Sequence, residues 1–295
     1  MHGEMDAWGN KMQFRLGCAL WACQDWVGDF FPGAARSPDY LKLYAERLTA
    51  VEGNTTFYAM PSPETVARWA QETPAEFRFC PKFPKWVTHA GPLAPRLGQA
   101  LAFWERMQGL GDRLGPIFAQ LPPSYGPEQL EDLQRFLAAL PLAAGQFAVE
   151  VRHPAWFQPT AAIALTQCLT DLGIGRVLLD TRPVYEVADD PQRLSARKKP
   201  RLPVVFQQTA PFTLIRYISH PEWETNLPFV ADWADPIATW LQSGTEIYCI
   251  VHCPIEARSP ANADALYHFL TRRGLDLPPL PWHAIAPEPT QLTLF

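Results

Sequence analysis

The chain has no apolar run of about 18 residues, the length one helix needs to cross a bilayer. Positive charge is in the minority: 25 Lys and Arg stand against 30 Asp and Glu, for a net charge of −5. Proteins that coat long nucleic acid are basic overall, so any nucleic-acid contact here must be local. Cysteines number 6 (Cys18, Cys23, Cys80, Cys168, Cys249 and Cys253), and no two are spaced C-x-x-C. That excludes the paired-thiol signatures of zinc ribbons and redox sites and fits free thiols in a reducing compartment. The polar stretch Met1 to Gln13 lacks the apolar core of a secretory signal. Leu20–Gly28, after the first apolar run, contains no G-x-G-x-x-G, the phosphate turn of an open doubly wound sheet. These absences point to a cytoplasmic protein with no membrane partner, and they name no cofactor.

Proline is plentiful, at 31 residues. The prolines are spread among apolar segments, which excludes collagen and low-complexity disorder. Several follow an N-cap residue, as in Ser37-Pro38 and Ser62-Pro63, where the fixed φ and missing N–H do no harm. Short apolar runs alternate with helical patterns along the chain. The runs are Phe14–Ala19, Ala50–Tyr58, Phe77–Lys82, Pro116–Leu121, Phe147–Val151, Gly175–Asp180, Thr213–Ile218 and Glu246–His252. Helical spacing follows most of them: Leu41, Tyr44 and Leu48; Val66 and Trp69; Pro95–Leu110; the segment opened by Pro127; Thr160–Leu172; Phe229–Leu241; and Pro260–Arg273. The sixth run is followed instead by a polar stretch to Arg201. Runs apolar on both faces belong to a parallel sheet covered by helices. Eight such units joined by right-handed crossovers predict one (β/α)8 TIM-type barrel over residues 14–274. Residues 1–13 form a polar extension, and the proline-rich residues 275–295 an extended tail.

Five blocks, in order, resemble a known family. They are Leu16-Gly17 with Trp21 and Trp26, running on to Val51–Tyr58; Phe77–Pro84; Val149–Pro154; and Leu178–Pro183. The chain resembles the YecE-like family, also called domain of unknown function 72, from about residue 14 onward. The resemblance implies the same barrel fold and no established reaction. Many members carry two asparagines at the end of the last strand, where this chain has His252-Cys253. A role for that pair does not carry over.

A barrel of this kind builds its site from the C-terminal ends of its strands. Those ends supply Trp21, Asp25 and Trp26; Glu52, Asn54 and Thr56; Lys82 and, further on, His89; Gln120; Glu150, Arg152 and His153; Asp180 and Arg182; Arg216 and His220; and His252. Two readings follow. In one, Lys82, Glu150, Arg152 and Arg216 form a structural ion-pair network, since unpaired buried charge is expensive. In the other they line a pocket for an anionic, phosphate-containing ligand, because guanidinium suits bidentate oxyanion recognition. Asn54, His153 and His252 would then help hold the ligand. Glu52, Glu150 or Asp180 would act as general acid or base, and Trp21, Trp26 and Trp156 would stack on a ring. Glu150, His153, Asp180 and His252 are metal-ligand types, but no H-x-H or H-E-x-x-H signature accompanies them, so no metal is expected. Cys253, beside His252, is a conceivable reactive thiol, though buried inert thiols are commoner.

Arg193–Arg201 holds five positive charges in an acidic chain. Such a run is usually a solvated face, and it could also hold a phosphodiester backbone. The chain ends in Gln291-Leu292-Thr293-Leu294-Phe295. This resembles the pentapeptide by which bacterial proteins dock on the DNA polymerase sliding clamp. The resemblance implies that Gln291 bonds at a pocket entrance while Leu292, Leu294 and Phe295 fill apolar pockets. Three functions are thus in view: a nucleic-acid-processing or repair protein recruited to the clamp, a small-molecule enzyme acting on a phosphorylated or acidic sugar, and a non-catalytic clamp adaptor.

Overall fold

A computed structural model describes residues 13–193 and 198–285. The eight strands are β1 (Phe14–Cys18), β2 (Ala50–Gly53), β3 (Arg78–Pro81), β4 (Ile117–Gln120), β5 (Phe147–Glu150), β6 (Gly175–Asp180), β7 (Phe212–Ile218) and β8 (Glu246–His252). All are parallel and run β3-β2-β1-β8-β7-β6-β5-β4. The two ends of that order meet. Gly115 N donates to the Phe79 carbonyl at 2.8 Å and Phe83 N to the Phe118 carbonyl at 3.0 Å, with parallel bridges at Phe79–Leu114 and Lys82–Phe118. The sheet is a barrel closed at a short seam. Gly115 makes the seam possible, because a Cβ there would lie 2.9 Å from the Phe79 carbonyl oxygen.

The helices are α1 (Tyr40–Ala45), α2 (Asn54–Tyr58), α3 (Pro63–Glu72), α4 (Lys85–Thr88), α5 (Leu97–Met107), α6 (Leu130–Ala138), α7 (Pro159–Leu172), α8 (Arg182–Tyr185), α9 (Leu227–Gln242) and α10 (Ser259–Arg272). Their ends follow local chemistry. Ser62 Oγ accepts from Thr65 N at 3.2 Å ahead of Pro63, and α7 stops at Gly173, whose φ of 65° is left-handed. The apolar faces of the helices pack on the outward-facing strand residues, among them Leu16, Val51, Phe79 and Val149.

Inward-facing residues stack in layers. Arg15 and Glu246 pair at 2.9 Å at the N-terminal ends of their strands. Ala50, Cys80, Phe118, Ala148, Leu214, Tyr248 and Ile250 fill the middle. Glu52, Lys82, Gln120, Glu150, Arg216 and His252, all buried, form the layer at the C-terminal ends. An apolar plug therefore isolates one polar layer from the other.

Three local features depart from the sequence reading. The second run, read as one strand to Tyr58, leaves the sheet at Gly53. Asn54 Nδ2 donates to the Ala19 carbonyl at 2.6 Å and Thr56 Oγ1 lies 2.7 Å from the Gly53 carbonyl, so side chains replace the ladder and α2 begins. Among the described residues, the crossover from β6 to β7 has no long helix, and α8 is its one α-helix. Residues 275–285, read as the start of an extended tail, pack on the barrel. Leu277 and Leu280 are buried, and Trp282 meets Phe30 edge-on at 4.8 Å. The terminal peptide Gln291–Phe295 lies outside the described residues.

Candidate functional site at the barrel mouth

Alternation along each strand dictates which side chains enter the mouth, and the barrel brings five of them together. Glu52 of β2, 0% exposed, is the hub. Its carboxylate accepts two hydrogen bonds from Arg216 of β7, at 2.6 and 3.0 Å, and one from Lys82 at 2.6 Å, and lies 3.1 Å from His252 Nε2. Glu150 of β5 takes the remaining Arg216 nitrogen and Arg152 Nε, the latter at 2.5 Å. Lys82 also donates to Asn54 Oδ1 at 2.5 Å. Removal of these charges from water is costly, and the fork of Arg216 makes it tolerable by bridging both carboxylates at once.

The network sets the protonation states. Burial alone would raise Glu52; the cations Arg216 and Lys82 overrule it and hold the carboxyl well below its ordinary range. Glu150 behaves alike, held down at about 2 by Arg152 and Arg216 against the effect of burial. Both are therefore ionised at neutral pH, and neither has a proton to donate as a general acid. Arg216 moves the other way: burial would lower it, but Glu150 and Glu52 raise it further. Lys82 is brought down to about 7, by burial first and then by repulsion from Arg216 and Lys199, although Glu52 opposes the change. His252 is lowered to about 3, chiefly by burial and then by Lys199. The His252 Nε2 lies 3.1 Å from the Glu52 carboxylate and 3.3 Å from Arg216 Nη2, and its Nδ1 lies 3.4 Å from Lys199 Nζ.

Above this layer lies a cavity of about 380 Å³, lined by Asn54, Phe57, Tyr58, Lys82, Gln120, Arg152, Arg216, His252 and Glu256 and, from the β6–β7 crossover, by Gln192, Lys198 and Lys199. Gln192 bonds to both lysines. Gln192 Oε1 accepts from Lys199 N at 2.7 Å, and Lys198 Nζ donates to the Gln192 carbonyl. Gln192 is 1% exposed, and its Nε2 has no hydrogen-bond partner among the described residues. Lys199, lowered to about 8 by burial and Arg216, has no carboxylate within 4.0 Å among them.

Several nominated residues are elsewhere. Asp180 lies outside the mouth. On β6 it is Leu179 that faces in, so Asp180 faces out, where it accepts from Trp233 of α9 at 2.9 Å and pairs with Arg182 at 2.8 Å. Trp26 is fully buried among Phe30, Phe31 and Tyr44, with its Nε1 bonded to the Glu256 carbonyl at 2.8 Å. Trp156 is buried likewise and donates to the Tyr125 carbonyl. Trp21 packs edge-on against Trp69 at 5.2 Å and Phe79 at 6.1 Å. No tryptophan is among the cavity's lining residues. His153 caps its own turn, Nδ1 accepting from Ala155 N at 3.1 Å. Glu150, His153, Asp180 and His252 thus do not converge as metal ligands. The Cys253 thiol is 2% exposed and pushed up to about 12 by burial, which removes its reactivity. Gln192, Lys198, Lys199 and Glu256 were not nominated. The Arg193–Arg201 charge run was the one signal for the two lysines, and the sequence held none for Gln192, whose place depends on how the crossover folds back.

The comparisons with known proteins agree with this architecture. Residues 15–285 match the family described as "Protein of unknown function DUF72". The UPF0759 protein YecE of Escherichia coli K12 is 36% identical over 260 residues, covering 86% of this chain and 92% of that one. Among solved structures, a DUF72 family protein of Enterococcus faecalis V583 superposes with TM-score 0.66 at 20% identity, over 88% of this chain and 95% of that one. One from Thermotoga maritima MSB8 gives TM-score 0.64 at 19% identity, over 88% and 99%. These two show a shared fold, and none of the relatives' descriptions names a reaction. With the match spanning the whole barrel and a relative at 36% identity, the chain belongs to the DUF72 family.

Proposed function

We propose that the barrel mouth binds a ligand bearing a phosphate-class anion, with Lys82, Arg152, Lys199 and Arg216 taking its charge. The observation that carries this reading is the charge balance of the cavity. Lys82, Arg152, Lys198, Lys199 and Arg216 line it, against Glu256 on the wall and Glu52 and Glu150 beneath. Asp190 lies 3.9 Å from Lys198 Nζ, so with His252 neutral five basic groups face four carboxylates, and Lys199, with no carboxylate within 4.0 Å among the described residues, is the one left for a ligand. A purely structural network has no use for that surplus. The unmet Nε2 of Gln192 adds a neutral donor beside it.

The volume suits one small unit, a sugar phosphate or a single nucleotide, and not a duplex. The basic crossover, Arg193 to Arg201, favours a nucleotide within a strand, whose neighbouring phosphates it would hold. If the site is catalytic, Lys82 is the group placed to move a proton, since burial brings it down to about 7. The terminal Gln291–Phe295 would carry the protein to a sliding clamp, and so to DNA processing or repair. The alternative is an enzyme for a free phosphorylated or acidic sugar.

Calorimetry on the full chain with inorganic phosphate, a nucleoside monophosphate and a single-stranded oligonucleotide tests this. A charge-assisted hydrogen bond is worth about 1.5–3 kcal/mol, so Arg152→Ala or Lys199→Ala should weaken binding by roughly ten-fold or more. An oligonucleotide that binds no better than phosphate would leave the sugar reading in place. No binding of any probe sinks the anion site altogether.

A further inference from the structure

Away from the mouth, three metal-ligand side chains converge on the outer surface. Asp264 and His268 lie one turn apart on α10, and His283 comes from the segment that follows the helix. Both imidazoles turn Nε2 toward the same carboxylate, His283 at 2.7 Å from Oδ1 and His268 at 3.6 Å from Oδ2. The two rings are parallel to within 15°, with centroids 4.8 Å apart. One ligand atom from each of the three residues falls within 4.8 Å of the others.

We propose that Asp264, His268 and His283 bind a divalent transition-metal ion of the zinc class. Two imidazoles and a carboxylate are ligands of that ion, bound at about 2.0–2.2 Å. Ligand atoms around one tetrahedral ion at such lengths sit roughly 3–3.5 Å apart. A rotation of His268, which is 47% exposed, would close the set. Asp264 and His283 stand closer than that, at 2.7 Å, in a direct hydrogen bond that the ion would replace. Hard cations are disfavoured, because magnesium and calcium select oxygen ligands. Three protein ligands leave one position for water.

His283 is held in place for reasons independent of a metal. Leu280 is 3% exposed, Trp282 N donates to the Arg47 carbonyl at 3.2 Å, and the Trp282 ring packs on Phe30. The third ligand is thus delivered by core packing. The ion would tie the Pro281–Ala284 segment to α10.

The test is zinc titration by calorimetry of the full chain, purified without a histidine tag, beside His268→Ala, His283→Ala and, as a control, His153→Ala. One ion per chain is expected, with affinity lowered at least ten-fold in the first two variants and unchanged in the control. Thermal unfolding of the metal-free proteins keeps the result interpretable. His268→Ala, at an exposed position, should melt with the parent even if His283→Ala does not. The addition of zinc should raise the midpoint of the parent and of His153→Ala, and leave those of His268→Ala and His283→Ala unmoved. Equal zinc affinity in parent and His268→Ala, or loss of affinity in His153→Ala alone, overturns the proposal.

Discussion

At the scale of the residue, the mouth is an arithmetic of charges sharing few partners. Arg216 satisfies two carboxylates, so its replacement by Met leaves Glu52 to Lys82 and Glu150 to Arg152, each with lone pairs unmet in a buried layer. Breaking such a set costs about 3–5 kcal/mol. Lys82→Met leaves Glu52 its two bonds from Arg216 and should cost less. Urea unfolding of the two variants checks that order, and equal losses would mean the hub is misassigned. Glu150 and Arg152, alike in the sequence, are given different weights by burial. Glu150 is 1% exposed and its loss removes the partner of Arg152 Nε and of Arg216 Nη1; Arg152 is partly open to the cavity. Arg152→Ala should keep the fold and lose the ligand, whereas Glu150→Ala should lose both. The sign of the pH dependence also follows. Glu150 has its folded value lowered to about 2 from a usual 4.5, so its stabilisation is complete above pH 4.5 and disappears as pH falls toward 2. Glu52 adds in the same sense. Melting temperature should therefore fall over that range more steeply in the parent than in Glu150→Gln. Anion binding has the opposite course. Lys82 and Lys199 lose charge near pH 7 and 8, so affinity should decline as pH rises through both.

At the scale of the element, strand phase decides what the sequence could reveal. Two-residue alternation placed Glu52, Lys82, Glu150, Arg216 and His252 inside because each strand's phase is set by its apolar neighbours. Asp180 was nominated for its position at a strand end, with its phase ignored, and the phase turns it to Trp233. Ala50–Tyr58 read as one long strand because Thr, Phe and Tyr favour strands, while the side-chain bonds of Asn54 and Thr56 that end it act only in three dimensions. The barrel's seam was equally illegible. β7 and β8 share seven register pairs, but β3 and β4 meet through two bridges. Amide hydrogen exchange should therefore open β3 and β4 before β7 and β8. Gly115→Ala, which forces a methyl against the Phe79 carbonyl and Tyr248, should destabilise by about 1–3 kcal/mol. If β7 and β8 exchange first, the closure lies elsewhere.

At the scale of the whole molecule, an acidic protein carries its surplus cations at one end of a barrel. Eight separated runs were enough to indicate that barrel, because each is too apolar to tolerate solvent on either face. The cover of the mouth was beyond that logic, since Lys199 reaches His252 across a crossover with no periodicity to read. Net charge of −5 also works against non-specific adhesion to DNA, so the proposed nucleic-acid role requires a separate contact. The terminal pentapeptide and the cavity should then be separable. Removing residues 291–295 should abolish association with a purified sliding clamp while leaving affinity for the oligonucleotide unchanged. Lys199→Ala should do the reverse. The salt dependence gives the number of phosphates engaged, since each contributes a slope of about −0.7 in log affinity for a single strand. A slope near one phosphate places a single unit in the cavity, and a slope of three or more brings in the Arg193–Arg201 segment. Clamp association that survives the truncation would remove the tail from the account, and the mouth would then have to be explained as a small-molecule site alone.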